Sequence, residues 1–185
     1  VVIGLLAATL VTGCNDNTML EVRKDGTGSG KVTSRLVTMP GPKGELDCGE
    51  TCTLKTYFKN SYMLTATPAP GSRFAGWDSE ECRTGPLGPS LECQVYMDAP
   101  GPTVITATFN ENRVTVTKAG AGSGRVVSAP AAIDCGATCS ATFDTDTSVT
   151  LTATVEAGST FTGWSGACSG TSTTCTVVAN DAKNV

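Results

Sequence analysis

The fold is decided by a stretch of sequence that occurs twice. Residues 47–77 read DCGETCTLKTYFKNSYMLTATPAPGSRFAGW, and residues 134–164 read DCGATCSATFDTDTSVTLTATVEAGSTFTGW. The two stretches align without a gap and share 15 identities over 31 positions. Self-similarity with a period of about 90 residues indicates two copies of one structural unit.

The repeat extends beyond this stretch in both directions. Upstream, GTGSGKV at residues 26–32 matches GAGSGRV at residues 120–126. We therefore predict that repeat 1 spans residues 20–110 and repeat 2 spans residues 113–185. Downstream, each unit has a further pair of cysteines: Cys82 and Cys93 in the first, Cys168 and Cys175 in the second.

Each unit consists of short segments in which apolar and polar residues alternate. Residues 20–23, 105–109, 114–117 and 149–153 show this pattern, which is typical of half-buried strands. Each glycine-rich stretch is predicted to close a hairpin between its two flanking strands. After the first 14 residues, no window of 11 or more residues shows a helical apolar stripe. The sequence therefore predicts an all-β chain of two small tandem domains.

The first 19 residues predict export and a lipid anchor. Residues 1–13 are mostly apolar but too short to cross a bilayer as a helix, so we interpret them as a truncated signal peptide. Leu10-Val11-Thr12-Gly13-Cys14 resembles the bacterial lipobox. The resemblance implies lipidation at Cys14, a short tether over residues 14–19, and membrane attachment through the lipid. Asn15 differs from the Asp of the inner-membrane retention signal, which favours the outer membrane or the cell surface.

Composition agrees with an exported protein and argues against nucleic-acid binding. Nine cysteines in 185 residues are many, and cysteines persist as disulfides mainly in oxidising compartments. One lipidated cysteine leaves eight, enough for four pairs. The net charge of −4 does not suit a phosphate backbone, which requires a basic surface.

The order of motifs resembles a known family of bacterial repeats. The motifs occur in this order: a first strand, a Gly-Ser-Gly turn, Leu-Thr-Ala-Thr, Phe-x-Gly-Trp and a closing strand ending in Ala-x-Phe. This order is similar to the divergent internalin-B-type B-repeat, in its cysteine-bearing variant, over about 160 of the 185 residues. The resemblance implies a β-sandwich-like or β-grasp-like module and a non-catalytic role as a spacer or adhesion repeat on exported proteins.

The eight remaining cysteines are expected to form disulfides that compensate for a small core. Pairing between sequence neighbours closes short loops, each worth about 2 to 3 kcal/mol. Cross-pairing within a repeat is the alternative, and a zinc site made of four cysteines is disfavoured by the spacings and by export. The expected pairs are Cys48–Cys52, Cys82–Cys93, Cys135–Cys139 and Cys168–Cys175.

The sequence offers no catalytic machinery that we can identify, and no metal site or cofactor. The absence of histidine removes Ser-His-Asp and Cys-His catalysis. Glu80-Glu81 and the pair Asp144 and Asp146 have no acidic counterparts in the other repeat, so we interpret them as solvated loop charges. The glycine-rich stretch before Lys31 lacks the Ser or Thr that a phosphate-binding loop requires.

Two sets of aromatic residues are candidates for ligand binding. Trp77 and Trp164 follow Phe-x-Gly at the same place in both repeats, which favours core positions over sugar-stacking platforms. Tyr57, Tyr62 and Tyr96 have no aromatic counterparts in repeat 2. They are the candidates if repeat 1 binds a cell-surface glycan or protein.

Repeat 2 is expected to be incomplete in its last strand. Alignment of Asp98-Ala99 with Asp181-Ala182 places Val185 near Ile105, in the first half of the closing strand. Repeat 1 continues from there with Thr106-Ala107-Thr108-Phe109.

Overall fold

The structure of the chain, a computed structural model, describes residues 17–37, 46–49, 52–79, 82, 90–99 and 101–185. The predicted signal peptide, Cys14 and Glu80-Glu81 lie outside these residues. All regular elements in the described part are β-strands, so the all-β prediction is confirmed. Within the same residues there is no helix that is both long and apolar enough to span a bilayer.

Repeat 1 is built from two four-stranded sheets. The strand order is β4-β1-β8-β6 in the first sheet and β3-β2-β5-β7 in the second. The strands are β1 (Asn17–Asp25), β2 (Gly30–Leu36), β3 (Asp47–Cys48), β4 (Cys52–Tyr57), β5 (Ser61–Pro68), β6 (Ser72–Trp77), β7 (Glu92–Tyr96) and β8 (Pro102–Glu111).

Repeat 2 reproduces this arrangement with a smaller first sheet. Its sheets have the orders β12-β9-β15 and β11-β10-β13-β14. The pairing registers correspond: Leu64 lies opposite Cys93 in repeat 1, and Leu151 lies opposite Cys175 in repeat 2. The strands are β9 (Arg113–Thr115), β10 (Gly124–Ala129), β11 (Asp134–Cys135), β12 (Ser140–Thr142), β13 (Thr147–Val155), β14 (Thr174–Ala179) and β15 (Lys183–Asn184).

The two sheets of repeat 1 face each other across one apolar core. Leu20 and Val22 of β1 point inward, because inward and outward positions alternate along a strand. They share one buried cluster with Leu64 of β5 and Phe109 of β8. This face-to-face packing is a sandwich. The β-grasp alternative would place a helix on one sheet, and the described part of the chain contains only strands.

The first and last strands of repeat 1 lie side by side and run in the same direction. β1 pairs parallel with β8, from Met19 opposite Pro102 to Asp25 opposite Thr108. Parallel neighbours require a crossover connection, and here the other six strands supply it. The chain therefore enters repeat 1 at one end of the sandwich and leaves at the other.

The glycine-rich stretch does not form the predicted hairpin. β1 pairs with β4 and β8, whereas β2 pairs with β3 and β5, so the stretch crosses from one sheet to the other. Its glycines allow close approach to β8. The Gly28 N–H donates to the Phe109 carbonyl oxygen at 2.9 Å, and a Cβ on Gly28 would lie 2.6 Å from the carbonyl carbon of Asn110.

The structure contains the four local disulfides expected from the sequence. Cys48 belongs to β3 and Cys52 to β4, which lie in different sheets. The first disulfide therefore joins the two sheets across only four residues of sequence. Cys135 of β11 and Cys139, next to β12, occupy the same place in repeat 2.

The closing strand of repeat 2 has the register predicted from the sequence. Lys183 and Asn184 pair parallel with Val114 and Thr115, as Thr103 and Val104 pair with their partners in β1. Val185 thus takes the place of Ile105. Residues 159–163, which correspond to the first five residues of β6, do not form a strand.

Candidate functional site

A single buried residue connects the two repeats. β8 ends at Glu111 and β9 begins at Arg113, and Asn112 between them is 0% exposed. Its backbone N–H donates to the Gly71 carbonyl oxygen in repeat 1 at 2.9 Å. Its carbonyl oxygen accepts from the Phe143 N–H in repeat 2 at 3.0 Å. The connection is therefore hydrogen-bonded to both repeats and does not act as a loose linker.

Side chains extend this junction. The Asn112 Nδ2 donates to Thr145 Oγ1 at 2.9 Å, and that hydroxyl donates to the Ser72 carbonyl oxygen at 3.1 Å. The Gly71 N–H donates to Asp144 Oδ1 at 3.0 Å. A loop of repeat 2, residues 142–146, thus docks on the turn before β6 of repeat 1. We call these contacts, together with those of the Asn112 backbone, the junction.

An ion pair lies at the rim of the junction. Arg73 Nη2 of repeat 1 is 3.2 Å from Asp181 Oδ1 of repeat 2. The pKa of Asp181 is lowered, first by the hydrogen bond that its carboxylate accepts from the Ala182 N–H and then by Arg73. Asp181 therefore stays ionised in mild acid. Its side chain is more than half exposed, so the pair adds little free energy to docking.

Sequence reasoning missed the role of the junction residues. The sequence alone indicates a solvated loop charge at Asp144, but this residue accepts a hydrogen bond across the repeats. The sequence gives one weak indication of a special role for Asp144: the corresponding residue of repeat 1 is Tyr57 and not an acidic residue. Asp144 and Asp146 do not belong to a cluster of three or more potential metal ligands, and no such cluster occurs among the described residues.

The three tyrosine candidates fall into two environments. Tyr62 is buried in the core, and its hydroxyl lies 2.7 Å from Thr56 Oγ1 of β4, so it is not available at the surface. Tyr57 and Tyr96 are 45% and 53% exposed. Phe58 beside Tyr57 is 37% exposed, an aromatic residue that the sequence pattern does not single out. Ligand binding by the exposed residues stays a prediction.

The two tryptophans differ in burial. Trp77 is 6% exposed, its ring lies 5.1 Å from the Phe74 ring, and its Nε1 donates to the Ser90 carbonyl oxygen. It is a core residue. Trp164 makes the corresponding contact with Phe161 at 5.2 Å and donates to the Ser172 carbonyl oxygen, but it is only half-buried. The core interpretation therefore holds fully for Trp77 and in part for Trp164.

Comparison with known proteins identifies one family model. A model described as the divergent InlB B-repeat domain matches residues 20–113 and again residues 114–185. No curated protein sequence matches the chain significantly.

Two solved structures match the chain at low identity and with low TM-scores. The Bacillus anthracis TIE protein matches with a TM-score of 0.40 and 11% identity, over 92% of this chain and 34% of that protein. A streptococcal ancillary pilin matches with a TM-score of 0.39 and 8% identity, over 92% of this chain and 63% of the pilin. The chain thus spans less than two thirds of either protein.

Proposed function

We propose, from the premise that the chain belongs to the divergent InlB B-repeat family, that it is a non-catalytic spacer of the bacterial cell envelope. In this proposal Cys14 carries the lipid that attaches the chain to the outer membrane or cell surface. The two repeats then hold whatever they carry at a defined distance from that surface. The observation that carries the proposal is the junction, in which the only connecting residue is fully buried.

A spacer requires neighbouring modules to keep a defined orientation. Flexible linkers give a broad range of end-to-end distances, whereas Asn112 is held by backbone hydrogen bonds on both sides. The additional bonds of Thr145 and Asp144 restrain rotation about the chain axis. These contacts support a rod of stacked sandwiches.

The disulfides support an extracytoplasmic location. Four pairs in a chain of 185 residues are expected to persist only in an oxidising compartment. Two of them join opposite sheets next to the core, where they compensate for the small number of aromatic residues. Metabolic labelling with a palmitate analogue tests the anchor directly. Label should enter the wild-type protein and not a Cys14→Ser variant.

Small-angle X-ray scattering tests the spacer. The chain should scatter as one rigid, elongated particle whose profile fits a single arrangement of the two repeats. The matched control carries six Gly/Ser residues inserted after Asn112, and it should give a broad distribution of inter-repeat distances. If the unmodified chain scatters as broadly as the control, the junction does not set the spacing and the spacer proposal is wrong.

A ligand-binding role is the second candidate, and one observation favours it. Tyr57, Phe58 and Tyr96 leave aromatic surface exposed on repeat 1, and amphipathic aromatic residues are common in binding surfaces. Residues 57 and 58, at the end of β4 and directly after it, correspond to Asp144 and Thr145, which in repeat 2 make hydrogen bonds of the junction. A glycan array probed with the wild type and with a Tyr57→Ser, Tyr96→Ser variant separates the two roles. Binding that only the wild type shows would establish the ligand role.

A further inference from the structure

One end of repeat 1 carries all the aromatic side chains that are exposed in the described part of the chain. They are Tyr57, Phe58 and Tyr96. Val37, directly after β2, is exposed at the same end. This is the end at which the chain begins repeat 1, because Tyr57 lies opposite Asn17, the first residue of β1. We call Val37 and the three aromatic residues the aromatic end.

Backbone pairing brings the three aromatic residues to the same end of the two sheets. Tyr57 ends β4 in one sheet, and a turn over residues 58–60 leads into β5 of the other sheet. In this turn the Lys59 N–H donates to the carbonyl oxygen of Met97, the residue after Tyr96, at 2.8 Å. The turn is therefore hydrogen-bonded to the end of β7, and the aromatic residues of the two strands share one end of the sandwich.

The same turn in repeat 2 has a different surface. Lys59 and Asp146 are corresponding residues, and both have a left-handed backbone, with φ of +67° and +63°. Before Asp146 come Asp144 and Thr145, whose side chains make hydrogen bonds to repeat 1. In repeat 1 the same two positions hold a tyrosine and a phenylalanine. One turn thus makes a polar protein contact in repeat 2 and presents aromatic rings in repeat 1, so we expect a partner of different chemistry there.

The chain leads from this end directly back to Cys14. Only Asn15 and Asp16 separate Cys14 from Asn17. Three residues of fully extended chain span at most about 11 Å. A lipid on Cys14 would therefore hold the bilayer surface within about 11 Å of the start of β1, near enough for side chains at the aromatic end to enter the headgroup layer.

The side chains at this end suit a phospholipid surface. A tyrosine ring has an apolar body and a polar hydroxyl, and such residues are enriched where membranes meet water. The Lys59 Nζ lies 5.8 Å from the centre of the Phe58 ring. A lysine can keep its stem on an apolar surface while its ammonium group reaches a phosphate.

Local charge also favours contact with lipid phosphates. The exposed charged side chains described within two residues of the aromatic end are three basic ones and one acidic one: Arg35, Lys55, Lys59 and Asp98. This local excess of positive charge occurs in a chain whose net charge is −4. The rest of the chain is therefore acidic, and its repulsion from lipid phosphates favours contact through this end.

We propose that the aromatic end rests in the headgroup layer of the membrane that holds the lipid of Cys14. Tyr57, Phe58 and Tyr96 place their rings at the boundary between headgroups and acyl chains, and Lys59 pairs with lipid phosphates. The lipid supplies the attachment, and this contact sets the direction in which the two repeats project from the surface. The inference rests on the proposed lipid anchor and deepens it, because the spacer then stands on the bilayer and does not swing on a free tether.

Partition onto vesicles tests this contact. The chain is used from Cys14 onwards, which keeps every described residue, and a myristoyl chain is coupled to the Cys14 thiol through a maleimide. The other eight cysteines are paired in disulfides. A single myristoyl chain gives only weak, reversible binding, so an additional contact becomes measurable. On phosphatidylcholine vesicles the coupled chain should bind at least about tenfold more tightly than its Tyr57→Ser, Phe58→Ser, Tyr96→Ser variant.

The matched control removes three exposed apolar side chains from other surfaces, with Leu91→Ser, Val155→Ser and Val178→Ser in one chain. This control should bind the vesicles like the wild type. Equal partition of the wild type and the aromatic variant would overturn the inference and leave the lipid anchor standing. Failure of palmitate labelling in cells would instead refute the anchor and the inference together.

Hydroxyl-radical labelling of the coupled wild type requires no variant, and it decides the question if the aromatic variant fails to fold. Vesicles should lower the oxidation of Tyr57 and Tyr96, whereas Trp164, half-buried in repeat 2, should stay as reactive as without vesicles. Unchanged oxidation of both tyrosines would overturn the inference. Glycan binding that only the wild type shows, together with equal partition onto vesicles, would assign these rings to a sugar ligand and overturn it equally.

Discussion

Replacing Asn112 with Asp tests the junction at its centre. The substitution keeps the shape of the side chain but replaces the Nδ2 donor with a carboxylate oxygen. Residue 112 can then no longer donate to Thr145 Oγ1, and the one proton of that hydroxyl already bonds the Ser72 carbonyl oxygen. One hydrogen bond of the junction is therefore lost, at a net cost of about 1 kcal/mol. The larger effect is a negative charge at a position that is 0% exposed, where an uncompensated buried charge costs about 3 to 5 kcal/mol.

This cost is comparable with the whole docking energy. The inter-repeat contacts are a few hydrogen bonds worth about 1 kcal/mol each, with somewhat more for the bond accepted by Asp144. At pH 7 the Asn112→Asp chain should therefore keep two folded sandwiches that no longer hold one orientation. Small-angle scattering should show the broad distance distribution of a flexibly linked pair.

Acid should reverse the effect. Burial raises the pKa of a carboxyl group, so the charged form at residue 112 is disfavoured in the docked state. The destabilisation is present above this raised pKa and decreases as the pH falls towards that of the unfolded carboxyl, about 3.9. At about pH 4.5 the variant should regain much of its docking. The rim pair persists there because the pKa of Asp181 is lowered.

The control is Asn112→Ala, which loses the same hydrogen bond without adding a charge. It should weaken docking by about 1 kcal/mol at both pH values. Should Asn112→Asp scatter like the wild type at pH 7, the buried position of this residue would not couple the repeats, and our account of the junction would fail.

Three further predictions concern the repeats themselves. Trp77→Ala should lower the free energy of unfolding of repeat 1 by about 3 to 5 kcal/mol. Trp164→Ala should lower that of repeat 2 clearly less, because the Trp164 ring is half-buried. Urea titration of each variant measures the difference, and equal losses of stability would contradict the burial argument. Gly26→Ala and Gly120→Ala carry the same backbone strain from positive φ, but only the methyl group at residue 26 collides with Phe109. Gly26→Ala should therefore reduce stability by about 1 to 3 kcal/mol more than Gly120→Ala. Thermal unfolding of the two variants checks this difference. Thiol titration of the denatured, unreduced chain should find none of the eight paired cysteines free; two or more free thiols in one repeat would argue against the disulfides.

Much of each repeat could be predicted because its determinants are local in sequence. Alternation at Leu20 and Val22 identifies a buried strand face, and the spacing of Cys48 and Cys52 permits a short disulfide loop. Alternation does not identify the neighbouring strand, because strands pair through backbone N–H and C=O groups at their edges, and these groups are the same whatever the side chains. For this reason the glycine-rich stretch predicts a hairpin, although its real neighbour, β8, follows about 80 residues later.

The junction was beyond sequence reasoning for a related cause. Asn112 is a polar residue between two strands, a context that usually indicates an exposed connection. Its burial depends on contacts with the turn at Gly71 and the loop at Thr145, which belong to different repeats and are distant from it in sequence. Neither loop contains a sequence motif that indicates a contact with the other repeat. Asp144 stands out in the sequence only because repeat 1 has no acidic residue at that position.

The parallel pairing of β1 with β8 predicts how repeat 1 responds to mechanical force. Tension applied along the chain pulls the start of β1 and the end of β8 in opposite directions along the same line. Seven residue pairs then carry the load together in shear, whereas an antiparallel pair pulled from its open end separates one bond at a time. Resistance to force depends on the rate of unfolding and not on the equilibrium free energy. A sandwich of modest thermodynamic stability can therefore be strong under tension.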